Sequence, residues 1–299
     1  MHVSVYLHTN TLSPVNTNEF RIFSHLSISQ ANQIKLKQEA LTAELRPILT
    51  CIDANDNDRL KLLASLEKVR RLATKHISSA SLRTVFIKED VHTQASELLK
   101  KKQDQPEVAS AAMGVLAVVL KPSAKGAPPR DDVGQAAIQL ILDNQDNRDV
   151  LINGLRLIVT VCIIQEAHES LFENDEIFKV LDLAFESKDR TAQEEACRTI
   201  QKVCSTASAD TRGILLDHGY HVRVLLMLRE LESPEALECA LGALANLAHK
   251  NERNAELIDV GAIDGIHTIV NDNFDEQGVV MRGVGALLNL AVFGMTYNM

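Results

Sequence analysis

A helical segment with one arrangement of apolar and small residues recurs along the chain at intervals of about 43 residues. Six copies align on a small residue near their middle, which is Ser65, Ala112, Gly154, Ala196, Ala240 and Gly283 in turn. In each copy the apolar residues are spaced by three and four, as on one side of an α-helix. One copy cannot bury such a stripe alone, so the copies must pack against one another in an elongated array.

The complete repeating unit is clearest over residues 233–271. Ser233 is a favourable N-cap, and Pro234 is a favourable first residue for the long helix that follows. A second, shorter helix is predicted to end at Gly261, and a third begins directly after it. The sequence therefore predicts an all-α superhelical solenoid of about six repeats of this kind.

The regular pattern is interrupted in a few places. Residues 1–27 show no clear periodicity, and we predict a poorly ordered lead-in to a repeat domain over residues 28–299. Pro47 is predicted to interrupt the first helical segment, and Lys121–Asp132, rich in proline and lysine, is predicted to be a flexible hinge or insertion. The sequence ends without a polar capping helix, so either the chain continues or its exposed end docks onto something.

Composition limits the classes of function. Aromatic residues make up 4% of the chain and tryptophan is absent, which suits close packing of alanine- and leucine-rich helices. The net charge of −9 argues against a nucleic-acid partner, and the apolar runs are too short for membrane insertion. With five cysteines in no metal-binding spacing and no signal peptide, we expect a cytoplasmic location, with the nucleus as the alternative.

The candidate catalytic and metal-binding patterns are weak. The loop of residues 53–58 lacks the glycine and the glutamate of a calcium loop, so it is interpreted as a polar turn. His218 and His221 have no third ligand at a suitable spacing and are interpreted as surface turn residues. Cys197 lies on an apolar helical stripe, which indicates a core residue before a nucleophile. We therefore predict no enzyme, no metal and no cofactor.

Two segments carry a resemblance to a known family. ALGALANLA at 240–248 and GALLNLA at 285–291 resemble the Leu-x-Asn-Leu-Ala core of the long third helix of armadillo repeats. LIDVGAIDGIHTIV and LLDHGYHVRVLLML resemble the helix–glycine–helix segment of the same family. The resemblance extends over about residues 30–293 and implies a right-handed superhelix. For the four earlier copies, related HEAT repeats are the alternative.

In armadillo proteins the third helices line a concave groove that binds extended peptides, so the resemblance also implies a set of site residues. Two positions of the third helix matter in the family. One is an asparagine, and the other, one turn before it, is often tryptophan in nuclear-import members. In most repeats of this chain other residues occupy both positions. The missing tryptophans exclude the pockets that hold basic cargo. The predicted peptide-binding residues are Arg71, Arg156, Thr160, Arg198, Lys202, Asn246 and Asn289.

The replacements at these positions are mainly cationic, which favours an acidic extended segment as the ligand. The alternative is that they are the ordinary charges of solvated helix faces, with Arg198 paired to Glu194. The resemblance implies a non-catalytic scaffold or adaptor that binds other proteins through the concave groove. A second hypothesis is a regulator of a folded partner, such as a small GTPase or a chaperone client. It would bind through the convex face or the C-terminal end, where Leu290 and Phe293 would form the contact. A third is an enzyme in which the solenoid is a regulatory region.

Overall fold

The computed structural model describes residues 28–76, 78–120, 131–163, 171–172, 175–206, 209–249 and 253–297. Fifteen α-helices and no strand lie within these ranges. They are α1 (Ile28–Ala54), α2 (Arg59–His76), α3 (Ala80–Lys88), α4 (Val91–Lys101), α5 (Pro106–Val119), α6 (Asp131–Asp143), α7 (Arg148–Val161), α8 (Glu176–Glu186), α9 (Arg190–Thr206), α10 (Ala209–Asp217), α11 (Tyr220–Leu228), α12 (Pro234–Leu247), α13 (Asn254–Asp259), α14 (Ala262–Asp272) and α15 (Gln277–Tyr297).

The long helices α2, α5, α7, α9, α12 and α15 form one layer, in which each contacts the next. This layer is called the inner layer below. Helices α4, α6, α8, α11 and α14 form a second layer, each packed against the inner helix that follows it in the chain. Every one of the six aligned sequence copies is an inner helix, so the solenoid inferred from the period is confirmed.

The small residues used for the alignment lie where the two layers meet. Gly154 in α7 faces α6, and a Cβ atom built on it would lie 2.5 Å from Cδ1 of Ile141. A Cβ atom built on Gly283 in α15 would likewise lie too close to the side chain of Val270 in α14. A small side chain at this position therefore allows the second-layer helix to approach closely, which explains why the position stays small in every copy.

Local signals at helix ends act as the sequence indicates. The hydroxyl of Ser233 accepts a hydrogen bond from the backbone N–H of Ala236 at 3.1 Å and caps α12. Gly261, between α13 and α14, has φ +80°, and Gly219, between α10 and α11, has φ +74°. A left-handed conformation of this kind favours glycine, so these two residues allow sharp turns between short helices.

Helix α1 differs from its prediction because Pro47 lies inside it without ending it. Leu41, Leu45, Leu49 and Ile52 are all buried and continue one helical stripe across the proline. Proline removes one backbone hydrogen bond from a helix interior. The packing of residues on both sides of Pro47 compensates for that loss, so the predicted interruption is wrong.

Other expectations concern the two ends and the hinge. Residues 1–27 and 121–130 lie outside the described residues, while Asp131 and Asp132 begin α6. Leu290 is buried against the core, so it does not form the exposed contact expected of it at the C-terminal end. The side chain of Phe293 also lies outside the described residues.

The cysteines behave as core residues. Cys162, Cys197, Cys204 and Cys239 are buried, whereas Cys51 is half-buried. Burial raises the pKa of Cys162 and of Cys204 to about 12 and also raises the pKa of Cys197. A thiol that stays protonated at neutral pH is a poor nucleophile, so the assignment of Cys197 to the core is supported.

These environments predict how the native protein reacts with a thiol reagent such as DTNB at pH 8. We expect rapid reaction at Cys51 alone, because the four buried cysteines lack both access and thiolate character. All five should react in concentrated urea. The Cys51→Ser variant is the control and should lose the rapid phase, whereas rapid reaction of several thiols in that variant would contradict the packing described above.

Candidate functional site

The inner layer contains a hollow of about 560 Å³ above α5, between α2 and α7. The side chains of Ser110 and Ala111 in α5 form its floor. Its walls come from the two neighbouring inner helices and include Leu63, Leu66, Glu67, Arg70, Ile152, Asn153 and Arg156. The hollow spans three consecutive inner helices, so it is a segment of the groove that the repeats form together.

Gly114 of α5 is buried beneath two side chains that line the hollow. A Cβ atom built on Gly114 would lie 3.3 Å from Cδ of Arg70 and 3.5 Å from Oδ1 of Asn153. These two side chains therefore pack directly over Gly114. A larger residue at Gly114 would displace them and so change the shape of the hollow.

Polar groups at the floor are held by bonds between repeats. Nδ2 of Asn153 donates to Oγ of Ser110 at 3.0 Å, and that hydroxyl donates to the carbonyl of Asp149 at 2.9 Å. The Ser110 hydroxyl thus fixes the orientation of Asn153. A side-chain amide has two N–H donors and an oxygen with two lone pairs, so Asn153 keeps capacity for another partner. The main chain of an extended peptide could use it.

Two arginines share one carboxylate at the α2 wall. Nε of Arg70 and Nε of Arg71 donate to the oxygens of Glu67 at 2.8 and 2.7 Å. Hydrogen bonding to Arg70 is the main cause that lowers the pKa of Glu67. One carboxylate cannot neutralise two guanidinium groups, so this wall keeps a net positive charge, and Arg71 is largely exposed.

A second carboxylate shared by two arginines lies beyond the α7 wall. Nε of Arg156 donates to Oε1 of Glu195 at 3.0 Å, and Nε of Arg198 lies 3.3 Å from Oε2. The side chain of Glu195 is only 10% exposed. The pairing of Arg198 with Glu194 that the sequence suggested is therefore wrong, because the carboxylate that Arg198 contacts is three residues away, on Glu195. Burial raises the pKa of Glu194 instead.

The other candidate residues connect successive inner helices. The hydroxyl of Thr160 donates to the carbonyl of Ala117 at 3.1 Å, and Nδ2 of Asn289 donates to Ala245 at 2.6 Å. Asn246 makes the equivalent but longer bond, 3.4 Å, to Gln201. Asn246 and Asn289 are half-buried, whereas Thr160 is 3% exposed. We therefore leave Thr160 out of the proposed ligand contacts.

The structure thus separates the predicted residues into groups. Arg156 and Arg198 meet at Glu195, Arg71 adjoins the hollow, and Lys202 is exposed on α9. Asn246 and Asn289 lie further along, on α12 and α15. Sequence reasoning missed Arg70, Ser110 and Asn153. Asn153 directly precedes the small residue of its copy, as Glu195 does, so this position of the alignment was a signal that could have identified it.

Other candidate centres give no support for metal chemistry. Within the described ranges no group of three histidine, cysteine, aspartate or glutamate residues could hold a metal ion. His221 is buried, with Nε2 3.0 Å from a carboxylate oxygen of Glu256, so its interpretation as a surface residue is wrong. The next repeat covers it. No helix in the described part of the chain is long and apolar enough to cross a membrane.

Comparisons with known proteins agree with this architecture. No protein-family model and no curated protein sequence matches the chain. Among solved structures, an engineered protein is similar with a TM-score of 0.63 at 17% identity, covering 84% of this chain and 97% of its own. A designed armadillo repeat protein in complex with the peptide (KR)4 is similar with a TM-score of 0.59 at 18% identity, covering 83% and 99%.

A third similar structure is that of computationally designed armadillo repeat proteins for modular peptide recognition. Its TM-score is 0.55 at 18% identity, and it covers 83% of this chain and 98% of its own. The match extends over most of both chains. The chain therefore has the armadillo-like repeat fold.

Proposed function

We propose that the chain is a non-catalytic adaptor that binds an extended segment of another protein along its inner layer. The observation that carries the proposal is the hollow above Ser110 and Ala111, where three repeats present a polar network, an apolar patch and paired arginines. A solenoid of stacked repeats creates an extended surface of this kind. Two of the similar designed proteins are described as peptide binders, which supports the same use of the layer here.

The dimensions of the layer suit an extended chain. Packed helices lie about 8–10 Å apart and an extended strand rises about 3.3 Å per residue, so about three residues of ligand pass each inner helix. The side-chain amide of Asn153 can pair with a main-chain amide of the ligand. One ligand side chain then occupies the hollow, against Ile152 and Leu63.

The charges of the layer favour acidic residues in that segment. Arg70, Arg71, Arg156, Arg198 and Lys202 stand against the two shared carboxylates, Glu67 and Glu195. An acidic ligand would add carboxylates that arginine binds well in forked geometry. Glu107 and Asp149 line the hollow near the N-terminal ends of α5 and α7. We therefore propose that the acidic residues of the ligand lie toward the C-terminal halves of the inner helices.

The test is a selection of displayed random peptides against the native protein, followed by affinity measurement on variants. Gly114→Met displaces Arg70 and Asn153, which line the hollow, and we expect it to weaken the binding of the selected peptides at least tenfold. Gly213→Met is the matched control, because Gly213 has no neighbour within 4 Å of its Cβ position and lies on α10. Circular dichroism should show that both variants retain the fold.

The selected sequences test the charge of the ligand separately. We expect enrichment of aspartate and glutamate, and weaker binding by Arg71→Gln and Lys202→Gln. Peptides that bind Gly114→Met as well as the native protein would exclude the hollow as the site. If the selected peptides depend on the hollow but are not enriched in aspartate or glutamate, the groove remains the proposed binding site and the proposed preference for acidic ligands is rejected.

A further inference from the structure

Two rows of opposite charge run across the inner layer. Relative to the small residue of each copy, acidic residues occur five or two positions before it, and they are Glu107, Asp149, Glu194, Glu235 and Glu238. Cationic residues occur two to six positions after it, and they are Arg70, Arg71, Arg156, Arg198 and Lys202. These two sets are called the acidic row and the basic row below.

Both rows contribute to the wall of the hollow. Glu107 and Asp149 line it from the acidic row, and Arg70 and Arg156 line it from the basic row. Asp149 and Arg156 are seven residues apart on α7, which is two helical turns, so they lie on the same side of the helix about 10 Å apart. Asn153 lies between them and also lines the hollow. The amide that can pair with a ligand main chain is therefore flanked by opposite charges.

Helix dipoles account for only part of the acidic row. Glu107, Asp149 and Glu235 are in the first turns of α5, α7 and α12, where the dipole stabilises a negative charge. Glu194 and Glu238 are in the second turns of α9 and α12, beyond the range of that effect. These two carboxylates therefore need another explanation.

The charge of Glu194 is held at a cost. Burial raises its pKa, and the carboxylates of Glu195 and Glu235 act in the same direction, whereas Arg190 and Arg198 lower it. The raised pKa means that the surroundings disfavour the negative charge on balance. A cationic group of a ligand placed at this part of the acidic row would relieve that cost.

Two members of the acidic row are accessible to such a group. Asp149 is 79% exposed, and its contact with Arg148 is long, at 3.7 Å. Glu235 is exposed and forms no ion pair with another residue that the structure describes. Glu107 differs, because Arg59 binds it at 2.8 Å. Asp149 and Glu235 can therefore bind a cation without the loss of a close ion pair.

An extended segment across the layer presents side chains to both rows. Successive side chains of a β-strand point in opposite directions, at right angles to its main-chain hydrogen bonds. Since the main chain pairs with Asn153 in the proposed complex, those hydrogen bonds point to the layer and the side chains point along the inner helices. Every second side chain then faces the basic row, and the side chains between them face the acidic row.

On the basis of the groove function proposed above, we infer that the bound segment carries acidic and basic residues in alternation. Its aspartate or glutamate residues face Arg156 and the rest of the basic row. The lysine or arginine residues between them face Asp149 and Glu235. A uniformly acidic segment would instead place every second carboxylate beside the acidic row, where like charges repel.

The probes are three labelled peptides, each with one central leucine, whose affinities are measured by fluorescence anisotropy. The first alternates aspartate and lysine, the second has the same residues in an acidic and a basic block, and the third has glycine in place of lysine. We expect the alternating peptide to bind the native protein at least tenfold more tightly than the block peptide. It should also bind several-fold more tightly than the peptide with glycine.

Variants of the acidic row test the role assigned to it. Asp149→Asn combined with Glu235→Gln should weaken the alternating peptide several-fold and leave the peptide with glycine unchanged. The matched control is Glu44→Gln combined with Asp264→Asn, which removes the same charge from exposed positions on α1 and α14, outside the inner layer. The control should bind all three peptides as the native protein does, and circular dichroism should show that both double variants fold.

The other outcomes separate this inference from the groove function on which it rests. Equal affinity for the alternating and block peptides, no binding of the alternating peptide, or equal effects of the two double variants would reject the alternation. If Gly114→Met weakens the alternating peptide and the peptide with glycine, and the native protein binds the two equally, the groove and its acidic preference remain and the alternation is rejected. If Gly114→Met weakens neither, the hollow is not the site and both proposals are rejected.

Discussion

Replacement of Gly154 by valine is expected to lower the free energy of unfolding by about 2 to 3 kcal/mol. The new Cβ atom would lie 2.5 Å from Cδ1 of Ile141 and 3.6 Å from Sδ of Met113. Both neighbours are fully buried, so neither can move without displacing others. Valine is a better helix former than glycine by a few tenths of a kcal/mol, which offsets only part of the strain.

The matched control is Gly265→Ala on α14. Nothing lies within 4 Å of a Cβ atom at Gly265, so the gain in helix propensity, about 0.5 to 1 kcal/mol, should appear as added stability. Urea unfolding followed by circular dichroism measures both variants, and hydrogen exchange locates the loss in Gly154→Val. Because each repeat contacts only its neighbours, the loss of protection should be greatest in α6 and α7. An unchanged midpoint for Gly154→Val would contradict the close contact between these two helices.

The inner layer could be predicted from the sequence because its determinants are local or strictly periodic. The stripe of each copy and its central small residue, such as Gly154 or Gly283, depend only on spacing along one helix. Ser233 and Gly261 act through backbone groups within a few residues of themselves. Such signals can be interpreted without knowledge of the partner surface.

The candidate site was harder to predict because it depends on how far one repeat is shifted along the next. Glu195 is shared by Arg198, three residues away, and by Arg156, 39 residues away. Spacing within α9 cannot reveal the second contact. Thr160 shows the same effect, since its hydroxyl reaches the carbonyl of Ala117 on another helix and lies inside the contact. Pro47 is different, because burial of the residues on both sides of it outweighs a local preference.

Reversal of the charge at Arg156 is expected to lower the free energy of unfolding by about 2 to 3 kcal/mol. Arg156→Glu would place a second carboxylate beside Glu195, whose side chain is 10% exposed. Removal of one partner from a buried ion pair costs about 3 to 5 kcal/mol. The lower value is expected here because Arg156 is itself 42% exposed and Arg198 remains beside Glu195.

Two further variants identify the cause of this loss, and urea unfolding measures all three. Arg71→Glu reverses an exposed charge of the same layer while Arg70 still binds Glu67, so we expect a change below about 1 kcal/mol. Arg156→Glu combined with Glu195→Gln removes the repulsion between the two carboxylates and should recover most of the stability. A double-mutant cycle measures this coupling between the two positions. Equal losses for Arg156→Glu and Arg71→Glu would contradict a special role for Glu195. Arg156 both stabilises α9 and lines the groove, so weaker ligand binding by Arg156→Glu alone has two explanations. The double variant separates them, because its stability is restored while Arg156 is still absent. Weak binding by the double variant would identify Arg156 as a contact of the ligand.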